Sequence, residues 1–120
     1  MKILVVDDDK SMLGLLKMHL ENAGYEVLLA EDGIAGGHLA LRSSPDLILV
    51  DVLMPYLNGY ELVKALKTDP KTRHIPVVFL TADKQVEERS RKLGAEAYLK
   101  KPLNPARLLE VVALFTMDAT

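Results

Sequence analysis

The residues best suited to chemistry in this sequence are acidic, and they stand directly after short apolar segments. The triplet Asp7–Asp9 follows Ile3–Val6, and Asp51 follows Leu47–Val50. A lone carboxylate in such a position usually caps a helix, because an N-cap needs one side-chain acceptor. Carboxylates gathered from two separate segments exceed what capping requires. Their placement therefore indicates a binding or catalytic site.

A hydroxyl and an amine follow two further apolar segments. Thr81 comes after Val77–Leu80, and Lys100-Lys101-Pro102 comes after the weaker segment Tyr98–Leu99. Gathered carboxylates repel, so the pKa of at least one should rise unless a divalent cation binds. Mg²⁺ takes oxygen ligands from carboxylates together with phosphate oxygens and water. A remaining carboxylate can then attack phosphorus, while a lysine and a hydroxyl hold the phosphoryl oxygens. These residue types predict phosphoryl transfer to an aspartate.

Five short apolar segments have to position these side chains: the four named above and Val27–Ala30. Most are rich in Val, Ile and Leu and run without alternation, which is typical of strands buried on both faces of a parallel sheet. The alternation of these strands with helical segments predicts an open α/β sheet with helices on both faces. Ligands bind such sheets at the carboxyl ends of the strands. The predicted helices are Ser11–Ala23, Gly33–Leu41, Tyr60–Leu66, Lys84–Leu93 and Pro105–Met117.

Two of the predicted helices have unusual patterns. In the first, one face carries a row of apolar side chains and should be the buried face: Met12, Leu15, Leu16 and Leu20. In the second, Gly36 and Gly37 stand in the interior. Each glycine costs about 1 kcal/mol relative to alanine. We therefore expect this second helix to be frayed.

Length and composition exclude several classes of protein. The chain has 120 residues, of which 49% are apolar, the size and content of one domain with one packed core. Its 15 basic and 17 acidic side chains give a net charge of −2, which disfavours a nucleic-acid-binding protein. It has no cysteine, which excludes disulfides and thiolate chemistry. No apolar run approaches the roughly 20 residues of a membrane helix. We expect a single cytoplasmic globular domain over residues 1–120.

Four motifs, taken together and in order, resemble the receiver domain of the bacterial two-component response regulators. The resemblance extends from Lys2 to Phe115 and implies a flavodoxin-like fold with five helices and strand order 2-1-3-4-5. It also implies a phosphoprotein that acts as a phosphorelay switch, and that catalyses only its own phosphorylation and dephosphorylation. The motifs are Val-Val-Asp7-Asp8-Asp9, Asp51-Val-Leu-Met-Pro-Tyr-Leu-Asn-Gly59, Leu-Thr81-Ala and Tyr98-Leu-Lys-Lys101-Pro102.

The resemblance implies a role for each residue of the acidic site. Asp51 would accept the phosphoryl group. Asp7 and Asp8 would form the pair that binds Mg²⁺ or Mn²⁺, Asp8 directly and Asp7 mostly through water. The backbone carbonyl of Leu53 would be a further metal ligand. Lys101, rather than its neighbour Lys100, would bind the phosphoryl group, and the peptide bond after Lys101 would be cis.

The resemblance also implies a route by which the signal leaves the site. Thr81 would be the switch hydroxyl, and the ring of Tyr98 would turn inward when Thr81 engages the phosphoryl group. The switched surface would comprise the fourth helix, the fifth strand and the fifth helix. Leu53 and Asp83 would lie beside the path of the hydrolytic water and tune dephosphorylation. The Asp83 carboxylate can orient that water, and the Leu53 side chain cannot.

The partner implied is a sensor histidine kinase or a histidine phosphotransfer domain, which supplies a phosphohistidine. In the first helix, Leu13 either extends the core or is an apolar anchor for this donor, with Gly14 permitting close approach. In the last helix, Leu108, Leu109 and Val112 should face the sheet. A neighbouring set should form a self-association or partner interface strengthened by phosphorylation: Val111, Leu114 and Phe115.

Three alternatives compete with this interpretation. A phosphatase of the haloacid-dehalogenase class would use Asp7 as nucleophile, since Asp7–Ser11 resembles its Asp-x-Asp-x-Thr motif. That class needs a further acidic pair, and after Lys101 the only acids are Glu110 and Asp118. A flavin-binding electron carrier would need a Ser/Thr-rich phosphate loop in place of the acidic triplet. A receiver reduced to an interaction module would lack key side chains that are all present here.

Overall fold

Five strands and five helices alternate through residues 1–117, the part of the chain that the computed structural model describes. The strands form one parallel sheet in the order β2-β1-β3-β4-β5, which confirms the predicted fold class. The last three residues of the predicted domain, 118–120, lie outside the described part. The elements are β1 (Lys2–Val6), α1 (Lys10–Asn22), β2 (Glu26–Ala30), α2 (Gly33–Ser43), β3 (Leu47–Asp51), α3 (Gly59–Thr68), β4 (Val77–Thr81), α4 (Val86–Leu93), β5 (Ala97–Lys100) and α5 (Pro105–Thr116).

The hydrophobic core lies on both faces of the sheet. Successive side chains of β1 alternate between the faces: Leu4 and Val6 join the cluster covered by α2, α3 and α4, and Ile3 and Val5 join the cluster covered by α1 and α5. All residues of β3 and β4 are buried. Burial on both faces is why these strands are apolar without alternation. Within residues 1–117 no helix is both long and apolar enough to span a bilayer.

Helix α1 buries a different face from the one predicted. Leu16 and Leu20 are buried as expected, but Leu13 joins them at 4% exposure, and Leu15 is 47% exposed. Apolar residues spread over a wide arc of this helix, so their spacing alone does not select which part of that arc is buried. Packing against the sheet selects it instead. The interpretation of Leu13 as an exposed anchor for a partner is therefore wrong, and Leu13 extends the core.

Helix α2 is regular through both of its glycines, in place of the frayed helix expected from the sequence. A Cβ atom on Gly36 would lie 2.8 Å from Cγ2 of Val6 in β1. Gly36 therefore allows the helix to approach the sheet closely. At the helix start, the Asp32 side chain accepts a hydrogen bond from the backbone N–H of Ala35 at 2.8 Å. Packing and capping together offset the cost of the glycines.

Helix α5 differs from its predicted orientation at one position. Leu108 and Val112 face the sheet as predicted, but Val111 is also buried, at 6% exposure. Val111 therefore cannot belong to an exposed interface, and its assignment to one is wrong. Of the other two predicted members, Leu114 is 64% exposed and Phe115 is half-buried. The helix ends at Thr116, one residue before the predicted end.

At the end of the sheet opposite the carboxyl ends of the strands, Lys67 forms a cluster of hydrogen bonds. The Nζ atom of Lys67 in α3 donates to the carbonyl oxygens of Ile75 at 2.9 Å and Arg73 at 3.3 Å. It also donates to the Glu96 carboxylate at 3.0 Å. Glu96 in turn accepts from the backbone N–H of Val77 at 2.8 Å. This cluster joins α3, the start of β4 and the residue before β5.

Candidate functional site

Three carboxylates meet at the carboxyl ends of β1 and β3. These strands pair in parallel with Val6 opposite Val50, which brings the two residues that follow, Asp7 and Asp51, next to each other. One carboxylate oxygen each of Asp7, Asp8 and Asp51 lies within 4.8 Å of the others. Asp7 and Asp51 are buried, at 1% and 6% exposure, and Asp8 is exposed. The site therefore has a buried floor and one acidic side chain open to solvent.

The third residue of the acidic triplet is a helix cap. Oδ1 of Asp9 accepts hydrogen bonds from the backbone N–H groups of Ser11 at 2.9 Å and Met12 at 3.3 Å. Asp7 is fixed by the same turn, because its Oδ1 accepts from the N–H of Asp9 at 3.0 Å. The start of α1 thus orients the Asp7 carboxylate toward the site.

Lys101 supplies the positive charge of the site. Its Nζ atom lies 3.3 Å from Oδ2 of Asp7 and 3.6 Å from Oδ1 of Asp51. Lys100 is exposed, so the structure places the second lysine of the pair, as predicted, in the acidic cluster. The peptide bond between Lys101 and Pro102 is cis, also as predicted. One ammonium therefore lies beside two of the three carboxylates.

The ionisation of Asp51 is disfavoured by its surroundings. Its pKa is raised from 3.8 to about 6, chiefly by burial and next by the negative charge of Asp7, while Lys101 opposes the rise. A divalent cation among these oxygens would favour the ionised form. The residues present fit Mg²⁺, because they offer hard oxygen donors and an excess of negative charge that Lys101 does not neutralise.

Helix α3 begins directly beneath Asp51. A Cβ atom on Gly59 would lie 2.3 Å from the backbone carbonyl oxygen of Asp51, so only glycine fits there. The Gly59 N–H donates to the Val52 carbonyl at 2.9 Å. A capping box follows, in which Asn58 accepts from the N–H of Glu61 at 2.9 Å and Glu61 accepts from the N–H of Asn58 at 3.1 Å. These contacts fix the loop that follows the candidate phosphoacceptor at the end of β3.

Two large side chains of the loop between β3 and α3 point into solvent beside the site. Leu53 is 67% exposed and Tyr56 is 90% exposed. Tyr56 also has a φ of 70°, in the left-handed region that non-glycine residues rarely adopt. The side chain of Leu53 offers no hydrogen bond to a water molecule at the site, as expected from the sequence.

Thr81 ends β4 and is wholly buried. Its Oγ1 accepts a hydrogen bond from the backbone N–H of Asp83 at 3.1 Å. Oδ2 of Asp83 accepts from the hydroxyl of Tyr60 at 2.8 Å, and Oδ1 accepts from the N–H of Gln85 at 3.0 Å. The Asp83 carboxylate is therefore bound to α3 and to its own loop. Tyr60 was missed from the sequence, where a tyrosine at the start of a helix is simply a core residue.

Tyr98 lies in β5, on the surface formed by α4, β5 and α5. It stands opposite Phe79 of β4 in the parallel register and is half-buried against the core cluster under α4. A surface cleft of this region is lined by Tyr98 together with Ser90, Lys100 and Arg107. The predicted aromatic residue thus stands in the strand that belongs both to the sheet and to the predicted output surface.

Comparisons of the sequence with known proteins agree with this geometry. The family model of the response regulator receiver domain matches residues 3–113. The polar-differentiation response regulator DivK of Brucella anthropi is 38% identical over 119 residues, covering 98% of this chain and 97% of DivK. The DNA-binding dual master transcriptional regulator RpaA of Synechocystis is 39% identical over 110 residues, covering 90% of this chain and 46% of RpaA. The chain thus spans about half the length of RpaA.

Solved structures give the same result. The chemotaxis protein CheY4 of Vibrio cholerae superposes with a TM-score of 0.89 at 34% identity, covering 95% of this chain and 97% of CheY4. The receiver domain of the sensor histidine kinase PA1611 of Pseudomonas aeruginosa, which has a magnesium ion coordinated in its active site cleft, superposes with a TM-score of 0.89 at 29% identity, each chain covered to 98%. By sequence, fold and the placement of its acidic cluster, the chain belongs to the receiver domains of the response regulator family.

Proposed function

We propose that the protein is a phosphorylation-activated switch of a two-component phosphorelay. A phosphohistidine of a sensor histidine kinase or of a histidine phosphotransfer domain supplies the phosphoryl group to Asp51. The observation that carries this proposal is the position of Lys101, whose ammonium lies within 3.6 Å of the buried Asp51 carboxylate at the carboxyl end of the sheet. We also propose that residues 1–120 act as one domain and that the protein works in the cytoplasm.

Asp51 is the nucleophile of the proposed reaction. The bond between its carboxylate oxygen and phosphorus forms while the phosphorus–nitrogen bond of phosphohistidine breaks, and the electron pair stays on the imidazole nitrogen. Strand β3 and the close approach of Gly59 to the Asp51 backbone hold the carboxylate in position, and burial excludes much of the water that would compete with it. Lys101 can then shift from the carboxylates to a phosphoryl oxygen.

The donor set supports a role for Mg²⁺ or Mn²⁺. Asp7, Asp8 and Asp51 would hold the ion, with the backbone carbonyl of Leu53 as a further ligand. A bound ion would offset the negative charge that opposes the approach of a phosphoryl group. The magnesium ion in the receiver domain of PA1611 supports this assignment.

Thr81 and Tyr98 are the proposed route to the surface of α4, β5 and α5. Thr81 is the last residue of β4, and β5 carries Tyr98 alongside that strand. A phosphoryl group on Asp51 would accept a hydrogen bond from the Thr81 hydroxyl, and Tyr98 would turn inward. Phosphorylation can shift this two-state equilibrium only by its difference in affinity for the two states.

The family assignment decides against the phosphatase interpretation, in which Asp7 would be the nucleophile. The positions of the two aspartates agree with this. Asp7 accepts from the N–H of Asp9 and lies 3.3 Å from Lys101, so it is already engaged on both oxygens. The proposed partner is the one that response regulator receivers have in general, a sensor kinase or a phosphotransfer domain that donates the phosphoryl group. We propose that this chain does not bind nucleic acid directly.

The test is chemical phosphorylation by a small acyl phosphate in the presence of Mg²⁺. The parent should form an acid-stable, base-labile adduct, and Asp51→Asn should form none. Asp9→Asn is the matched control, because asparagine also caps helices and Asp9 lies outside the cluster. Asp8→Ala should weaken both metal binding and phosphorylation. An adduct that persists in Asp51→Asn would overturn the assignment.

A further inference from the structure

A chain of hydrogen bonds leads from the Thr81 hydroxyl to helix α3. Oγ1 of Thr81 accepts from the N–H of Asp83 at 3.1 Å, and Oδ2 of Asp83 accepts from the hydroxyl of Tyr60 at 2.8 Å. We propose that Tyr60, acting through Asp83, is a positioning residue that holds Thr81 and the loop after β4 in the resting arrangement and so opposes the switch. This inference rests on the proposed function.

The hydroxyl of Tyr60 is held in place by the core. The Tyr60 residue is 7% exposed, and its ring packs edge to face against Phe79 of β4 with ring centres 5.2 Å apart. The guanidinium of Arg89 from α4 lies 5.0 Å from the centre of the same ring. At the helix start, Gly59 and the capping box fix the backbone. Tyr60 therefore cannot follow Asp83 if the loop moves.

The bond between Tyr60 and Asp83 joins a hydroxyl to an ionised carboxylate. Hydrogen bonds of the Asp83 carboxylate with the Gln85 N–H and then with the Tyr60 hydroxyl lower the pKa of Asp83. Burial, followed by the contact with Asp83, raises the pKa of Tyr60. Both directions fit a charge-assisted hydrogen bond, which is stronger than one between neutral groups.

Few other contacts fix the segment that this bond holds. Helix α4 has eight residues, of which only Val86 and Ser90 are buried, and its N-cap residue Gln85 makes no side-chain capping bond. The Asp83 carbonyl accepts from the N–H of Val86 at 3.3 Å, so Asp83 is the direct link to the start of α4. Anchoring Asp83 on Tyr60 thus anchors the loop and the first turn of the helix.

Movement of the Thr81 hydroxyl toward Asp51 is incompatible with the intact chain of bonds. If Thr81 rotates or shifts alone, the bond to the Asp83 N–H breaks. If Asp83 follows Thr81, its carboxylate leaves the fixed hydroxyl of Tyr60. Either way, one hydrogen bond of the resting state is lost on switching. Tyr60 therefore raises the free energy of the switched state relative to the resting state.

The test measures the affinity of a phosphoryl mimic, beryllofluoride with Mg²⁺, for the parent and for Tyr60→Phe. The variant keeps the ring and removes only the hydroxyl, and we expect it to bind the mimic about 10- to 150-fold more tightly, the range for a hydrogen bond to a charged group. Asp83→Ala breaks the same bond from the other side and should also bind more tightly. The double variant should gain little over Asp83→Ala alone.

Tyr25→Phe is the matched control. Its hydroxyl lies 3.1 Å from Oγ1 of Thr116 at the end of α5, remote from the site, and its removal should leave the affinity for the mimic unchanged. A packing defect at Tyr60 would weaken binding rather than strengthen it. NMR adds a second readout: without the mimic, the Thr81 and Asp83 amide signals of Tyr60→Phe should move part of the way toward their positions in the mimic-bound parent.

The outcomes separate this inference from the proposed function. Equal or weaker affinity in Tyr60→Phe, with a parent that binds the mimic and a Tyr25→Phe control that matches it, would overturn the role of Tyr60 and leave the proposed function intact. A parent that binds no beryllofluoride with Mg²⁺ would overturn the proposed function itself.

Discussion

At Asp51, burial and the charge of Asp7 both act against ionisation, and the single ammonium of Lys101 does not compensate. The role proposed for Asp51 requires an ionised carboxylate, which is an unfavourable charge in the folded protein until a cation binds. A buried, uncompensated charge of this kind lowers the stability of the folded protein and is typical of functional sites. The cost should be measurable as a dependence of stability on pH.

We predict that Asp51→Asn is more stable than the parent near neutral pH when divalent cations are removed by a chelator. Between the ordinary pKa of 3.8 and the folded-state pKa of about 6, the native state binds more protons than the unfolded state. The free energy of unfolding of the parent should therefore fall, relative to the variant, by about 3 kcal/mol as the pH rises from about 3 to about 7. Urea unfolding of both proteins across this range measures it, and a difference that does not change with pH would contradict the pKa of Asp51.

The lifetime of the phosphorylated state should depend on Asp83 and Leu53. We expect Asp83→Ala to lose its phosphoryl group more slowly than the parent, because a carboxylate released from Tyr60 can orient the attacking water. Leu53→Asn should lose it faster, because an amide at this 67% exposed position can hold a water that leucine cannot. Radiolabel loss from the purified phosphoproteins gives the rates, and equal lifetimes in all three would refute both roles.

The position of Lys101 in the site could be predicted from the sequence, whereas the contact made by Tyr60 could not. The lysine, the threonine and the aspartates each stand at the carboxyl end of a strand, where a parallel sheet brings side chains together, so their meeting could be predicted. The partner of Tyr60 is a loop residue 23 positions away that no periodicity connects to it. Only the packing of α3 against the loop after β4 brings the two together.

For whole strands and helices too, features that depend on packing against another element could not be predicted from the sequence. Continuous apolar runs predicted β1, β3 and β4 because these strands are buried on both faces, whereas β5 is only partly buried and its apolar run is weaker. The buried face of α1 could not be predicted, because apolar residues spread over a wide arc of the helix and its packing on the sheet decides which of them are covered. The regularity of α2 could not be predicted either, since the reason for Gly36 is the proximity of Val6 in another element.

Two glycines within helices differ in the space around them and allow a test of helix stability. A Cβ atom on Gly14 in α1 would meet no neighbouring group of residues 1–117 within 4 Å, so Gly14→Ala should raise the free energy of unfolding by about 0.5–1 kcal/mol. Gly36→Ala in α2 is the control, and it should destabilise because its Cβ would lie 2.8 Å from Val6. Urea unfolding measures both changes. Destabilisation by Gly14→Ala would show that α1 needs its glycine for a reason other than backbone freedom.

For the whole molecule, the exposed apolar side of α5 predicts association. Leu114 is 64% exposed and Phe115 lies half-buried beside it, whereas Val111 belongs to the core. We expect the parent to dimerise when beryllofluoride and Mg²⁺ are bound, and Leu114→Glu to stay monomeric. Ile34→Glu is the control, because Ile34 is 55% exposed on α2, across the sheet from α5. Sedimentation that finds monomers in every sample would exclude self-association through α5.

The chemical reactivity of the Lys67 side chain should report how often the contacts between α3 and the start of β4 open. This side chain is 12% exposed, and its ammonium donates to the Ile75 and Arg73 carbonyls and to Glu96. An amine held in this way cannot attack an acylating reagent until α3 separates from the start of β4. Acetylation of Lys67, followed by mass spectrometry, should therefore proceed at the rate set by unfolding, whereas the exposed Lys10 and Lys92 react at once. A reagent pulse would read the stability of this receiver in a cell extract, without purification or a fluorescent label.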